Sequence, residues 1–238
     1  MDEEDSLDRP KKITKVFIRL MFLRIGEIDT LNEKYQAKAS IEARWEVDTD
    51  KLLSIVSPNE QKRLTSGRHI VLNNYAQKHW HPQLSVENAF GDLRQQIRYT
   101  AKILKKPNQA WICEHRDVKG EFWERLELHH FPSDVQMLSI SITSMFYDDQ
   151  VILIADPHRM SGVNREAFID QQEWILYEHV DAQQRSIREF LFQTTDDADD
   201  DDDFDANGES EEYGLGNFDI EHGRKRSVLT ITCHAGLY

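Results

Sequence analysis

The pattern of apolar and polar positions along the chain predicts short β-strands separated by turns. Residues 15–29 are apolar on both faces and rich in β-branched and aromatic side chains. Residues 35–48 alternate, with Ala37, Ala39 and Ile41 on one parity. Alternation with a period of two is typical of a strand with one buried face. We therefore predict two strands joined by a short turn at the start of the chain.

Further segments show a strand-like pattern between turn signals. They are residues 68–74, 80–90, 135–145, 150–156, 173–183, 187–194 and 226–235. The second of them contains Pro82, which suits an edge strand or the start of a strand. Only a little helix is expected, between Asp50 and Ser66.

Two segments need separate interpretation. Residues 93–104 fit either a helix or a strand, because their apolar positions suit both periods. Residues 110–128 contain Lys119 and Gly120 between two strand-like runs, which is typical of a β-hairpin. The whole pattern predicts an all-β fold: an antiparallel, immunoglobulin-like β-sandwich of about ten strands with a short N-terminal helical segment.

Composition and charge refine this prediction. The 238 residues carry a formal charge of −14, which argues against nucleic acid as a partner. Much of the charge is local, since residues 196–205 hold eight aspartates that repel one another and offer almost nothing to bury. We therefore divide the chain into a charged, disordered N-terminus at 1–12 and one domain at 13–238, with a disordered acidic loop at about 196–212.

The histidines come nearest to a metal-binding pattern. His79 and His81 would share one face of a strand, a spacing that can hold zinc when a third ligand arrives from elsewhere. We favour the simpler interpretation of two polar positions beside a packed Trp80. His129 and His130 are adjacent and would point to opposite faces of a strand, so they cannot chelate together.

No other pattern indicates catalysis or a cofactor. The aspartate run lacks the spacing of a calcium-binding loop, and we favour a solvated segment. Cys113 and Cys233 match neither a metal knuckle nor a dense disulfide scaffold. Nucleophile elbows and phosphate-binding glycine loops are missing. We therefore predict a protein that is not an enzyme and has no cofactor and no metal site.

Four segments in order carry a set of short motifs: residues 16–45, 80–89, 120–140 and 226–238. The motif residues are Trp45, then Trp80, Pro82 and Asn88, then Phe131, Pro132, Asp134 and Gln136. Together they resemble the extracellular ligand-binding domain of pentameric ligand-gated ion channels, the Cys-loop receptor superfamily. The third segment is similar to the family's hairpin and its Phe-Pro-x-Asp-x-Gln turn, and the fourth to its last strand.

The resemblance implies recognition of an unidentified small molecule at subunit interfaces of a homo- or hetero-pentamer, coupled to channel gating in a full-length parent. Residues Phe131, Pro132, Asp134 and Gln136 would form the coupling turn, and Trp45, Trp80, Pro82 and Asn88 would be structural. The alternative is a soluble ligand-binding or protein-interaction module without channel activity.

The chain also departs from the family pattern. The positions of the family disulfide correspond to Glu124 and Leu138, so no bridge can form there. The box tryptophan that attracts an ammonium ligand corresponds to Met145, and the second-strand aromatic to Ser40. A quaternary-ammonium ligand is therefore not expected. The side chains that we predict to bind ligand are Met145, Phe146, Tyr147, Tyr213 and Phe218.

The expected location of the protein at a membrane rests on the resemblance. It implies a plasma-membrane protein whose ligand-binding domain faces outward. The sequence ends at Tyr238, where the family's first membrane helix would begin, so contact with a membrane would need a domain outside this sequence. The first residues lack an apolar segment, and no run approaches the roughly 18 apolar residues of a membrane span. A soluble cytoplasmic location is the alternative.

Overall fold

A computed structural model describes residues 13–104, 109–126, 135–164, 174–188 and 224–237. Several predictions concern residues outside these ranges. They are the N-terminal segment 1–12, the acidic segment 196–212, His129, His130, Phe131, Pro132, Asp134, Tyr213 and Phe218.

Eleven strands and three short helices are found in the described ranges. The strands are β1 (Thr14–Asp29), β2 (Lys34–Asp48), β3 (Ile70–Leu72), β4 (Leu84–Val86), β5 (Ala89–Ile103), β6 (Gln109–Trp123), β7 (Val135–Ser144), β8 (Val151–Ala155), β9 (Gly162–Val163), β10 (Trp174–Arg188) and β11 (Lys225–Leu237). The helices are α1 (Thr49–Ile55), α2 (Pro58–Thr65) and α3 (Tyr75–Lys78). The predicted all-β class with a short helical segment is confirmed.

The strands form two sheets. The seven-stranded sheet has the order β3-β5-β6-β2-β1-β8, with β9 also paired to β1. The four-stranded sheet has the order β10-β11-β7-β4. Pairing is antiparallel except where β8 and β9 run parallel to β1. The sequence pattern did not show this parallel pairing, because it depends on which edge of the sheet a later segment reaches.

The core lies between the two sheets. On β1 from Val16 to Phe22, and on β2 from Tyr35 to Trp45, every second side chain is buried. Ile18, Leu20, Ile41 and Trp45 are all at most 1% exposed. The phenol of Tyr35 on β2 reaches across the sandwich and donates to the Ser139 carbonyl on β7, with an O···O distance of 2.5 Å. The alternating sequence pattern therefore marks the face that packs against the other sheet.

Helices α1 and α2 lie between β2 and β3, where the sequence predicted helix, and the single turn of α3 follows β3. The Asp48 carboxylate accepts from the Asp50 N–H at 3.1 Å and caps α1. At the start of α2, the Glu60 carboxylate accepts a hydrogen bond from the N–H of the capping residue Ser57 at 2.9 Å, and Pro58 lies in the first turn.

The hairpin predicted at Lys119 and Gly120 is wrong. Strand β6 continues through both residues, and Lys119 pairs with β2 on one side and with β5 on the other. A Cβ atom on Gly120 would clash with the Leu93 side chain, at the point where the register of β5 shifts between Phe90 and Arg94. The glycine therefore allows close packing against an irregular neighbouring strand rather than a turn.

Three other segment boundaries differ from the prediction. Residues 93–104, which fitted either a helix or a strand, belong to β5. The segment 80–90 is a loop as far as Gln83, so His79 and His81 do not lie on a strand. The predicted strands 173–183 and 187–194 join in β10 as far as Arg188.

Candidate functional site

A run of aromatic rings connects the predicted ligand-binding segment with the core. The Phe146 ring stacks on Trp80, with centroids 5.8 Å apart and an interplanar angle of 30°. Trp80 in turn meets Trp45 edge to face at 6.2 Å. Trp45 is fully buried, whereas 44% of Trp80 is exposed. The outer end of this run is therefore open to a ligand, and its inner end is fixed in the core.

Tyrosines support the inner end of this run. Tyr75 and Tyr99 both contact Trp45, at centroid distances of 6.5 and 6.4 Å, and lie 5.3 Å from each other. Burial raises the pKa of Tyr75 to about 12. The Tyr75 phenol is therefore neutral at physiological pH.

Hydrogen bonds fix the loop after β7 to the Trp80–Pro82 segment. The Ser144 hydroxyl donates to the Pro82 carbonyl at 2.6 Å and accepts from the Phe146 N–H at 3.1 Å. The Met145 N–H donates to the Gln83 carbonyl at 3.1 Å. The two segments singled out from the sequence therefore form one continuous surface.

Tyr147 lies beside two arginines at the start of β11. The guanidinium carbons of Arg224 and Arg226 are 5.1 and 5.4 Å from the Tyr147 ring centroid. The Asp148 N–H donates to the Lys225 carbonyl at 2.8 Å and holds the two segments together. A ligand ammonium near Tyr147 would meet like charge, whereas an anionic or neutral polar group would be accommodated.

A buried ionic network supports the same region from within and was missed in the sequence. The fully buried Glu114 carboxylate accepts from the Tyr99 hydroxyl at 2.9 Å and from the Arg116 Nε at 2.8 Å. Arg116 also donates to the Leu84 carbonyl at 2.6 Å and to the Gln95 side chain at 3.2 Å. The parity of β6 could have revealed it, because Glu114 and Arg116 occupy inward positions.

A non-covalent contact joins Glu124, one position of the family disulfide, to Ser139, the residue after the other position. The Glu124 carboxylate accepts hydrogen bonds from the Ser139 N–H, at 2.9 Å, and from the Ser139 hydroxyl. Leu138, the second position, is fully buried. Burial raises the pKa of Glu124, although the hydrogen bonds from Ser139 oppose this shift. A carboxylate contact thus joins the two ends of the segment that contains the predicted coupling turn.

Asn88 links strands of the two sheets. Its amide donates to the Trp123 carbonyl at 3.0 Å and to the Ser139 carbonyl at 2.8 Å, and its side-chain oxygen accepts from the Ser141 N–H at 3.0 Å. Gln136, which belongs to the predicted coupling turn, is buried on β7 opposite Ala235.

The remaining candidates are placed as follows. His79 packs 5.2 Å from Tyr75 and His81 lies 6.1 Å from Tyr99, measured between ring centroids. In the described part of the chain, no three His, Cys, Asp or Glu side chains are grouped to hold a metal ion. Cys113 and Cys233 are unpaired and buried in different sheets.

The two-sheet fold is that of a receptor-type ligand-binding β-sandwich. The family model for the neurotransmitter-gated ion-channel ligand binding domain matches residues 2–196, and the chain belongs to this family. The resemblance seen in the sequence is thereby confirmed. No curated protein matches the chain. Among the described helices, none has the length and apolar character needed to cross a bilayer.

Proposed function

We propose that the chain recognises a small molecule at the interfaces between subunits of a pentamer, with Met145, Phe146 and Tyr147 at the contact surface. Membership of the ligand-binding domain family is the main support. The stacking of Phe146 on the half-exposed Trp80 is the observation that carries the proposal. Exposed aromatic surface fixed to a rigid core is typical of ligand sites. Tyr213 and Phe218 belong to the same proposal.

The arginines beside Tyr147 constrain the charge of the ligand. Two guanidinium groups already lie within cation–π distance of this ring, so we expect a ligand with a carboxylate or a neutral polar group rather than an ammonium group alone. This expectation agrees with Met145 and Ser40 at the positions of the family's box aromatics.

We further propose that binding is coupled to channel gating in a full-length parent. Strand β7 connects Gln136, at the end of the predicted coupling turn, with Ser144 next to the ligand segment. A paired strand transmits displacement along its length, because its backbone hydrogen bonds hold it to β4 and β11. Coupling requires that the ligand bind one of two states more tightly than the other.

Light scattering on size-exclusion fractions tests the assembly. We expect a species of five times the chain mass of 28.0 kDa. A strict monomer at high protein concentration would overturn recognition at subunit interfaces. That result would favour the alternative of a soluble ligand-binding or protein-interaction module.

Fluorescence titration tests the contact surface. The probes are acetylcholine, glycine, γ-aminobutyrate and glutamate, which differ in charge and share a small size. We expect the carboxylate compounds to bind more tightly than acetylcholine, and Phe146→Ala to weaken their binding roughly tenfold. Met160→Ala is the control, because Met160 is 85% exposed and has no place in the proposed contact surface. Equal affinities of the Phe146 variant and the unsubstituted protein would refute this contact.

A further inference from the structure

Strand β10 forms one edge of the four-stranded sheet. It is 15 residues long and, within the described part of the chain, pairs only with β11. From Val180 to Arg188 this pairing has no register shift, and the side chains from Asp181 to Ser186 are all exposed. Strands in globular proteins average about 5–6 residues, and exposed edges are usually short or covered. A long and regular open edge is therefore a place where another strand can pair.

The direction of the backbone groups along β10 follows from the neighbouring strands. Ser141 on β7 donates its N–H to the Asn88 side chain at 3.0 Å, and its C=O accepts from the Glu87 N–H at 2.8 Å. Neither group therefore points at Thr230, its register partner on β11. Because these directions alternate across an antiparallel sheet, Thr230 directs its backbone groups to Gln183 on β10, and Gln183 directs its own to β11.

The residues on either side of Gln183 consequently present their N–H and C=O groups to the open edge. In the regular part of β10 they are Val180, Ala182, Gln184 and Ser186. A second strand that pairs here must set outward-directed groups against these positions. An antiparallel copy of β10 does so only when the twofold axis passes through a residue. An axis between two residues would set an outward-directed residue against an inward-directed one.

The charges of β10 select one register. Glu178 and Asp181 lie five and two residues before Gln183. Arg185 and Arg188 lie two and five residues after it. With the axis at Gln183, each acidic residue of one copy lies opposite an arginine of the other, and an axis one residue to either side forms neither pair. Opposite charges across two strands stabilise their pairing, whereas like charges destabilise it.

The inner charge pair can form without loss of existing contacts. Asp181 lies 2.8 Å from the His179 Nε2 and 2.9 Å from the His234 Nε2. Arg185 pairs with Glu87 at 3.0 Å. A carboxylate accepts several hydrogen bonds and a guanidinium carries several donors, so both groups can also reach a second copy. All of these side chains are on the outer face of the sheet or at its edge.

We propose that two copies of this chain pair edge to edge along β10, antiparallel and about a twofold axis at Gln183. Their four-stranded sheets then become one continuous sheet. The proposal goes beyond the interface recognition proposed above, because a contact in a ring of five joins two different surfaces, whereas a twofold contact joins identical ones. Either contact can therefore fail without the other.

Disulfide trapping at the axis tests this pairing in the full chain. Gln183→Cys sets two new thiols opposite each other in a non-hydrogen-bonded pair, whose Cα atoms are about 4.5 Å apart. This distance suits a disulfide. Ser186→Cys is the matched control, since Ser186 is also exposed on β10 but would lie about 20 Å along the strand from its copy.

With copper phenanthroline as the oxidation catalyst, we expect Gln183→Cys to form covalent dimers at least about tenfold faster than Ser186→Cys, because the pairing holds its thiols together. Non-reducing electrophoresis measures the rate. The unsubstituted chain should form no covalent dimer, because Cys113 and Cys233 are buried.

Charge reversal tests the register. In the Gln183→Cys chain, adding Asp181→Arg sets like charges opposite each other and should slow dimer formation roughly tenfold. Adding Arg185→Asp as well restores opposite charges and should restore the rate. Both side chains are exposed, so neither substitution should prevent folding.

The outcomes that contradict the proposal are distinct. Equal rates for Gln183→Cys and Ser186→Cys would show that the copies meet without a preferred register, and would overturn the pairing. Absence of Gln183→Cys dimers would also overturn it, and would favour a strand of another protein at this edge. Failure of the double charge reversal to restore the rate would overturn the axis at Gln183.

Discussion

Replacing Arg116 by methionine should destabilise the domain severely. The substitution removes a guanidinium that is 6% exposed and leaves the Glu114 carboxylate, which is fully buried, with the Tyr99 hydroxyl as its remaining described partner. Breaking a buried pair by removing one partner costs about 3–5 kcal/mol, because the other charge stays buried without compensation. Domains of this size have a total stability of about 5–15 kcal/mol, so the loss is a large share.

The structure indicates that the cost belongs to the upper part of this range. Arg116 also donates to the Leu84 carbonyl at 2.6 Å, and this acceptor loses its partner in the variant. Leu84 begins β4, directly after the segment that carries Trp80 and Pro82. We therefore expect Arg116→Met also to loosen the surface on which Phe146 packs.

Urea unfolding followed by circular dichroism measures this effect as a change in the free energy of unfolding. Lys119→Met, on the same strand but exposed, is the control, and it should change stability by no more than about 0.5 kcal/mol. The double variant Glu114→Met with Arg116→Met should recover much of the loss, because it removes both charges. A cost below about 1 kcal/mol for Arg116→Met, or additive costs in the double variant, would refute the reasoning.

Two further predictions concern Glu124 and the cysteines. Since burial raises the folded-state pKa of Glu124 above its ordinary value of 4.5, its contribution to stability is present below that value and declines as pH rises through the folded-state pKa. The measurement is the free energy of unfolding from urea titrations, compared between the unsubstituted protein and Glu124→Gln. The advantage of the unsubstituted protein should decrease from acidic to neutral pH, and a difference that does not change with pH would contradict this. Burial raises the pKa of Cys113 and of Cys233 to about 12. Both thiols should therefore react with a disulfide reagent at about pH 8 only after denaturant is added. Fast reaction of the native protein would show that the thiols are not buried.

The sequence predicted the fold class because its main signal was local. Alternation in β1 and β2 follows directly from the requirement that one face be buried and the other solvated. The helical segment between Asp50 and Ser66 was also predicted, and α1 and α2 are found there. Membership of the ligand-binding domain family followed from short motifs in a fixed order.

The errors occurred where distant segments decide the local structure. Gly120 is typical of a turn in isolation, but in the fold it faces Leu93 of the neighbouring strand β5. His79 and His81 seemed to share a strand face, but the short helix α3 immediately before them turns the chain into a loop. Neither the packing of Gly120 against Leu93 nor the loop at His79 and His81 can be deduced from the neighbouring residues along the chain.

In the candidate site, too, the sequence identified residues but not the contacts between them. Phe146, Tyr147 and Trp80 could be singled out in the sequence, but their contacts depend on the pairing of β4 with β7. Arg224 and Arg226, which set the charge around Tyr147, lie far from it in the sequence and reach it through β11. The hydrogen bonds between Glu124 and Ser139 likewise needed coordinates, because their geometry decides whether a carboxylate can join the two ends of a loop.

The sequence by itself determined the alternating strands, the segment order and hence the family. Periodic burial and short motifs are properties of neighbouring residues, and they do not depend on how distant segments pack. Only the tertiary structure decided the parallel pairing of β8 with β1 and the burial of the Glu114–Arg116 pair. The assembly of the two sheets sets both features, because it decides which distant strands pair and how far the neighbouring Glu114 and Arg116 side chains are desolvated.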